Sequence, residues 1–305
     1  MIKTTTEMDF TGRNFTVIVA GAPGLGKTTL ALSAPNPLLF DLDNGIARVR
    51  AEHRKMTSVC ETYEELLSDM KSEEYKNAAT IILDTGGSLV QMMQPWAKTQ
   101  EPKAARDGRA MFGVIKREFD RLTWQIRQDG KNVVIVFHTT EVQKGDVTVT
   151  RLSCEGSAKD IVWTPADFGG TMFQRGKKRI ICFAPTEEAF GKGCFGIHGE
   201  YEVPELAPGM SNTFLTDLFE QARKNIADEQ ERFSKDKKIY DEAVREGTLC
   251  IDSVKCADDA TACVARLREI THALTSKAEL SGKLQAKVNA LKLRWDKQSG
   301  KYVQI

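Results

Sequence analysis

The chain has 305 residues, an apolar fraction of 41%, and 43 Lys and Arg residues against 42 Asp and Glu residues. This length can bury a large core and indicates one large domain accompanied by a smaller one. A net charge of +1 excludes a globally basic surface, so any surface that binds nucleic acid must be local. The opening residues MIKTTTEMDF lack the apolar core of a secretory signal, and no apolar run approaches a membrane span, so no membrane association is expected.

The cysteines show neither a C-x-x-C pair nor a spacing typical of a metal site. Free and mostly buried thiols in a reducing cytoplasm are the simplest interpretation. The seven positions are Cys60, Cys154, Cys182, Cys194, Cys250, Cys256 and Cys263.

A glycine-rich stretch at residues 21–28 (GAPGLGKT) lies between an apolar run at 15–20 and a helix-prone run at 29–33. A strand, a glycine-rich turn and a helix form the context in which G-x-x-x-x-G-K-[ST] binds phosphate. Its glycines let successive N–H groups point inward, and the helix adds the positive end of its dipole. The predicted nucleotide-binding residues are Gly21, Ala22, Pro23, Gly24, Leu25, Gly26, Lys27, Thr28 and Thr29.

Apolar strands alternate with helical patterns beyond this loop, which is typical of a parallel sheet covered on both faces. Strands are predicted at 37–43 (PLLFDLD), 78–84 (AATIILD) and 132–137 (NVVIVF). Helices are predicted near 61–71 and at 111–126, where apolar residues recur at helical spacing. Alternation at 141–152 predicts a half-buried hairpin, and two more strands are predicted at 168–174 and 179–184, as antiparallel additions.

Polar side chains close three of these strands, where a parallel sheet presents its ligand crevice. We expect Asp84 to hold Mg²⁺ opposite Thr28, and Lys27 to reach the β- and γ-phosphates. Asp43 is expected to orient the attacking water, with Asp41 as its competitor; simple capping of the next turn is the alternative. His138 is expected either to sense the γ-phosphate or to be a satisfied histidine beneath a loop.

Two clusters of basic residues carry further hypotheses. The turn formed by Arg175, Lys177, Lys178 and Arg179 is either a solvated hairpin tip or a group that reaches the γ-phosphate of a neighbouring subunit. The polar stretch 96–109 predicts a mobile loop that mixes an aromatic ring with cations, a combination that suits single-stranded nucleic acid. A plain surface loop is its alternative, and the candidate DNA-binding residues are Trp96, Lys98, Lys103, Arg106 and Arg109.

A second candidate surface for single-stranded nucleic acid is a set of cations near the end of the chain. Its alternative interpretation is a solvated helix face. It is interleaved with Trp295 and Tyr302. The cations are Lys283, Lys287, Lys292, Arg294, Lys297 and Lys301.

Taken in chain order, the motifs GAPGLGKTT, LLFDLD, IILDTGG, VVIVFHTTEV, FGGTMFQ and RIICFAP resemble the core of RecA-type ATPases over residues 14–185. Within that group the chain is similar to short phage ATPases that act as single-strand annealing proteins, the phage nucleotide-binding AAA-like family. The resemblance implies an α/β fold with a RecA-like P-loop core, a mostly parallel sheet with antiparallel additions, and a small helical C-terminal region. It also implies ATP and Mg²⁺ as cofactors.

The resemblance assigns catalytic roles to Lys27, Asp43, Asp84 and His138, and places two DNA-binding loops at 96–109 and 143–160. Two features depart from the family pattern. Asp43 is shorter than the glutamate found at that place in RecA-type proteins, and the second loop keeps little of their glycine-rich character. Three segments are expected: an ATPase core at 1–211, a charged helical connector at 212–249 and a small helical domain at 250–305.

We therefore expect an ATPase that forms homo-oligomers on single-stranded DNA and acts in phage homologous recombination, by annealing or strand pairing, in a bacterial cytoplasm. The alternative is an ATP-dependent loader or partner-binding switch in phage replication or repair. Its C-terminal helices would bind a helicase or a single-strand binding protein. A third possibility is a nucleotide-binding protein whose hydrolysis is too slow for an enzyme.

Overall fold

The computed structural model describes residues 8–144, 147–154, 163–187 and 189–305. The chain divides into two compact units. The larger is Phe10–Asn225, and the smaller is Ile226–Ile305 together with the start of the chain.

The larger unit is built on one mixed sheet whose order, among the described strands, is β3-β2-β4-β5-β1-β7-β8-β9, with β6 paired to β5. The pairs from β3 to β7 are parallel, whereas β8, β9 and β6 pair antiparallel. This arrangement confirms the predicted fold class. The strands are β1 Thr16–Gly21, β2 Pro37–Asp41, β3 Thr57–Ser58, β4 Thr80–Asp84, β5 Asn132–Lys144, β6 Val147–Leu152, β7 Phe168–Arg175, β8 Lys178–Cys182 and β9 Glu200–Val203.

Helices connect these strands, as the alternating pattern predicts. Short 3-10 turns also follow β2, at Gly45–Arg48 and Ala51–His53. The helices given for the described part of the chain are α1 Lys27–Ala31, α2 Tyr63–Asp69, α3 Glu73–Asn77, α4 Gly86–Gln100, α5 Gly108–Gln128, α6 Phe214–Asp252, α7 Ala257–Glu269 and α8 Ser276–Ala290.

Buried aromatic and aliphatic side chains fix the sheet and so position its ends. On one side, Phe40, Phe119 and Phe137 are fully buried in the main apolar core. Elsewhere in this unit the ring of Phe15 packs against Phe168 and Phe219, with centroids 5.2 and 5.3 Å away. Because β1, β4 and the first half of β5, up to Phe137, are central and buried, the polar side chains that follow them are held by a rigid frame.

The prediction of a mobile loop at 96–109 is wrong. Helix α4 continues through Pro95 to Gln100, and α5 begins at Gly108, so only the short connection between them is non-helical. The helix persists because Leu89, Val90, Met93 and Ala97 bury one face at helical spacing. Trp96 is half-buried, with its ring in edge contact with Tyr63 at a centroid distance of 5.1 Å.

The smaller unit has its own core, in which α7 and α8 bury Cys263, Leu280 and Val288 with residues at the end of α6. Its helices confirm the expected small helical C-terminal region. The segment is not all-helical, however, because Leu293–Asp296 (β10) and Lys301–Gln304 (β11) form an antiparallel hairpin. Trp295 and Tyr302 face each other across it at 5.1 Å, a cross-strand pair that the helical assignment missed.

None of the helices in the described part of the chain combines the length and apolar character needed to cross a membrane. None of the seven cysteines, all of which lie in the described ranges, forms a disulfide, and three of them, Cys60, Cys182 and Cys263, are buried. Burial and contact with Cys250 raise the pKa of Cys263 to about 12.

Candidate active site

The glycine-rich stretch forms the predicted turn between β1 and α1. Gly24 and Gly26 adopt φ values of +85° and +82°, a backbone conformation that residues other than glycine rarely adopt. At Gly21, a Cβ atom would lie 2.8 Å from the carbonyl oxygen of Met172, so β1 and β7 approach too closely for any other residue. These glycines therefore allow the backbone to form a nest, a concave turn whose N–H groups can bind phosphate.

Lys27 is the first residue of α1 and only 5% exposed. Its Nζ donates to the Ala22 carbonyl at 2.9 Å and lies 3.2 Å from Nδ1 of His138. Burial lowers the pKa of Lys27, while Asp84 and Asp43 act in the opposite direction. The ammonium group is thus held inside the turn and poorly solvated, ready for an anionic partner.

Thr28 and Asp84 meet directly, as the sequence predicts. The Thr28 hydroxyl donates to Oδ2 of Asp84 at 2.6 Å, and Asp84 is 2% exposed. Burial raises the pKa of Asp84 to about 6, and the neighbouring carboxylates Asp43 and Asp41 act in the same direction. A hydroxyl and a buried carboxylate in contact provide the oxygen ligands that Mg²⁺ takes in combination with substrate phosphates.

The two aspartates after β2 occupy different environments. Asp41 is 2% exposed, and its two oxygens accept from the backbone N–H groups of Gly45 and Ile46 at 2.8 and 2.9 Å. Asp43 lies two residues beyond the end of the strand, with its side chain 24% exposed and Oδ2 3.7 Å from Nε2 of His138. Asp41 therefore caps the 3-10 turn, whereas Asp43 faces the same space as Lys27 and His138.

His138 lies beside the phosphate loop, near Lys27 and Asp43, because it pairs with Gly21 across the neighbouring strands β1 and β5. Burial lowers the pKa of His138, and the positive charge of Lys27 acts in the same direction. The imidazole is therefore neutral at neutral pH. If Lys27 donates to Nδ1, the proton lies on Nε2, the nitrogen that faces Asp43. The result is a polar chain from the phosphate-loop lysine to Asp43.

The basic hairpin tip is largely neutralised within its own chain. Arg175 forms a two-point ion pair with Glu200 at 2.7 Å, and Lys178 pairs with Glu202 at 2.6 Å. Lys177 is exposed in the turn between β7 and β8. Arg179 turns back toward the phosphate loop of the same chain, where Nη1 is 2.6 Å from the position of a Cβ atom on Gly26.

The candidate DNA-binding cations are exposed, but they do not lie on one loop. Lys98 is near the end of α4, Lys103 and Arg106 lie in the connection, and Arg109 is in the first turn of α5. Parts of the second predicted loop, residues 145–146 and 155–160, lie outside the described residues; its remainder extends β5 and forms β6. The C-terminal cations belong to the smaller unit, and Lys283 there pairs with Glu279 at 2.8 Å.

Three residues near the loop were missed by the sequence analysis. Arg48 lies 3.4 Å from Asp43, Arg50 donates to the Leu206 carbonyl at 2.8 Å, and His53 is 4% exposed. All three come from the turns after β2, where NGIARVRAEH carries several basic residues without a recognisable motif. That concentration of basic side chains directly after the Asp43 strand was the available signal.

The chain matches the family model AAA_24, described as an AAA domain, over residues 13–195. This match covers more than half of the chain, so the protein belongs to that family. No curated protein matches. Among solved structures, the chain is similar to the KaiC-like protein PH0186 from the hyperthermophilic archaeon Pyrococcus horikoshii OT3. The two are 16% identical with a TM-score of 0.38, over 63% of this chain and 90% of that chain.

The family and the site geometry together define the class of protein: a P-loop protein with an AAA domain, whose loop is built to bind a nucleotide. Among the described residues, no group of three or more His, Cys, Asp or Glu side chains forms a self-sufficient metal cage. Thr28 and Asp84 nevertheless fit Mg²⁺, because this ion is usually held by one or two protein oxygens plus the phosphates of the substrate.

The raised pKa of Asp84 leads to a testable pH dependence of stability. The folded protein holds this proton more tightly than the unfolded chain does, so the stabilisation is complete at low pH and is lost as pH rises through about 6. In the presence of EDTA, we expect Asp84→Asn to stabilise the protein relative to wild type at pH 7.5, by up to about 3 kcal/mol.

Thermal melts of wild type and Asp84→Asn at pH 5 and pH 7.5 check this expectation. The difference in melting temperature should grow with pH, since the amide carries no buried charge. Asp69→Asn is a suitable control, because this carboxylate lies in the same unit and away from the phosphate loop. A difference that stays constant between the two pH values would contradict the assignment.

Proposed function

We propose that this protein is a Mg²⁺-dependent ATPase whose RecA-like core acts on single-stranded DNA in phage homologous recombination, by annealing or strand pairing. The observation that carries the proposal is the meeting of Lys27, Thr28, Asp84, Asp43 and His138 at the ends of adjacent strands. The family supports the ATPase part. The role on DNA rests on the resemblance to phage annealing ATPases and on the exposed cations near α4 and α5.

The residues divide the chemical task between them. Lys27 would exchange its contacts with Ala22 and His138 for phosphate oxygens. Thr28 and Asp84 would hold Mg²⁺, which when bound neutralises charge on the β- and γ-phosphates. Asp43 would accept the proton of the attacking water, and His138 would orient Asp43 and respond to the γ-phosphate.

Release of His138 from Lys27 would also couple nucleotide binding to the segment beyond it. Strand β5 runs without interruption from the buried sheet through His138 to the β5–β6 hairpin. ATP would thereby favour one conformation of the DNA-binding surface, a differential-binding switch. A homo-oligomer bound along the strand is the assembly that we propose.

Filter binding of a single-stranded oligonucleotide to the full chain, with and without ATP, tests the proposal. Binding should be stronger with ATP, and the charge reversals Lys98→Glu, Lys103→Glu and Arg106→Glu should weaken it. The slope of log affinity against log salt should fall by about 0.7 for each lost phosphate contact.

Reversal of three other exposed cations of the same unit, Lys55, Lys71 and Lys76, provides the matched control. It changes the net charge equally and should alter DNA binding much less. Absence of DNA binding in both nucleotide conditions would overturn the DNA role while leaving the ATPase intact.

A specific feature of the smaller unit favours the alternative function, a partner-binding switch. Leu267, Leu280, Trp295 and Tyr302 line a groove of about 270 Å³, and Arg268 and Lys277 contribute positive charge to it. A purified single-strand binding protein titrated against the full chain and against Trp295→Glu, which changes an exposed residue of the groove, would test this role. Specific binding that the variant loses, in a protein that binds no DNA, would support it over the annealing function.

A further inference from the structure

A second cleft opens beside the phosphate loop, within the larger unit. It measures about 530 Å³, a size typical of small-molecule sites. Its walls are the turns after β2, the hairpin of β7 and β8, and the chain that follows β9. Five cationic side chains and two carboxylates line it, and Thr29 from the first turn of α1 connects it to the loop.

Arg179 lies at the junction of the cleft and the loop. Its Nη1 is 2.6 Å from the position that a Cβ atom of Gly26 would occupy, so the guanidinium rests on the loop backbone. Its Nη2 donates to the Pro204 carbonyl at 2.9 Å, which fixes the side chain from the other end. This arginine therefore contacts the phosphate loop of its own chain.

The two sides of the loop carry different groups. Lys27, Asp84 and His138 gather on the side of β4 and β5, where a γ-phosphate would lie. Arg179 comes from β8, which lies beyond β7 on the opposite side of β1. The cleft meets the loop at Thr29, directly after Thr28, and at Arg179, so a nucleotide whose terminal phosphate faces Lys27 would extend its nucleoside past these two residues into the cleft.

His53 supplies an independent sign that the cleft accepts a ligand. It lines the cleft and is 4% exposed, and its Nε2 is the buried side-chain atom without a hydrogen-bond partner within the described ranges. Oε1 of Glu52 is 3.6 Å from this nitrogen, beyond hydrogen-bond distance. Buried polar atoms are nearly always paired, so an unpaired one at a cleft wall marks a place for a missing partner.

The wall around His53 is held in place by backbone contacts. Arg50 donates to the Leu206 carbonyl at 2.8 Å, and Glu52 accepts from the backbone N–H of Gly209 at 3.4 Å. The cleft thus exists before any ligand arrives, with donors, carboxylate acceptors and a planar guanidinium already in place.

We propose that this cleft holds the ribose and base of the bound nucleotide, and that Arg179 contacts the phosphates in cis. The inference rests on the proposed nucleotide binding at residues 21–28. His53 would hydrogen-bond the base, and Glu205 would accept from a ribose hydroxyl. Arg179 would release Gly26 and bind a phosphate oxygen at the nucleoside end of the chain.

Binding of ATP and of inorganic tripolyphosphate to the full chain, measured by calorimetry at a dilution where light scattering shows monomers, separates the two parts of the site. Wild type should bind ATP more tightly, since tripolyphosphate lacks the nucleoside. Leu206→Trp, which fills the cleft, should weaken ATP binding about tenfold or more and leave tripolyphosphate binding nearly unchanged. Arg179→Gln should weaken both ligands about tenfold or more, even in monomers.

Two matched controls accompany these variants. Met56→Trp adds the same bulk at an exposed position, and Arg127→Gln removes an arginine at the end of α5; neither lines the cleft. His53→Gln is a milder second cleft variant, so the test stands even if Leu206→Trp does not fold. Circular dichroism verifies folding of each protein.

Equal affinities of wild type for the two ligands, or unchanged ATP binding in both cleft variants, would overturn the nucleoside assignment. Wild-type affinity of monomeric Arg179→Gln would overturn the cis contact. Failure of wild type to bind either ligand is a different result, because it would remove the proposed nucleotide function itself.

Discussion

Replacement of Lys27 by alanine is expected to reduce ATP hydrolysis by about 10³-fold or more, because removal of a preorganised charge at the transferring phosphate has an effect of that size. Lys27 is buried, and its ammonium is already directed into the space shared with Asp84 and His138. Steady-state phosphate release measures the loss. Calorimetric titration with ATP shows how much of it comes from weaker binding.

Lys131 offers a matched control for this substitution. It is equally buried, burial also lowers its pKa, and its Nζ donates to the carbonyls of Lys76 and Ala78 at 2.9 and 2.6 Å. Lys131→Ala should cost about 1–3 kcal/mol of stability and leave hydrolysis per folded molecule unchanged. Equal phosphate release from wild type and Lys27→Ala would mean that the protein has no intrinsic ATPase.

The second large effect is expected at Asp43. Asp43→Asn should lower the hydrolysis rate about 10²-fold or more, the usual contribution of a positioned general base, with ATP affinity within about threefold of wild type. The amide keeps the size of the side chain but cannot accept a proton from water. Single-turnover hydrolysis with excess protein measures the chemical step separately from binding.

Asp41→Asn gives the informative contrast. Both oxygens of Asp41 accept backbone N–H groups of the turn after β2, so an amide nitrogen would replace one acceptor. We expect a loss of about 1–3 kcal/mol in stability and a smaller effect on hydrolysis. The assignment would be reversed if folded Asp41→Asn lost hydrolysis while Asp43→Asn retained it.

Local patterns were sufficient to predict the central sheet and the phosphate loop. The continuous apolar runs of β1, β2, β4 and β5 admit few alternatives to buried parallel strands. Since such strands end at one edge, Asp84 and His138 could be placed near Lys27 before any coordinates were known. These predictions succeeded because strand-end geometry depends little on distant parts of the chain.

The remaining features depend on contacts that local sequence does not encode. The polar stretch 96–109, which contains Pro102 and Gly108, suggested a loop, but burial of Val90, Met93 and Ala97 extends α4 to Gln100. Arg179 was expected either at a solvated hairpin tip or at the γ-phosphate of a neighbouring subunit, whereas its contact with Gly26 of its own chain depends on the fold of the β7–β8 hairpin. The cleft around His53 combines segments about 150 residues apart, a juxtaposition that only the tertiary structure reveals.

The continuity of β5 has a mechanical consequence. The strand has 13 residues, and its first part is clamped between β1 and β4, whereas the part after His138 pairs only with β6 among the described strands. At about 3.3 Å per residue, the free part reaches about 20 Å beyond the clamp. Because this part of β5 is anchored at one end, a small rotation at His138 would displace residues near the far end of the strand, such as Gln143, much more than His138 itself.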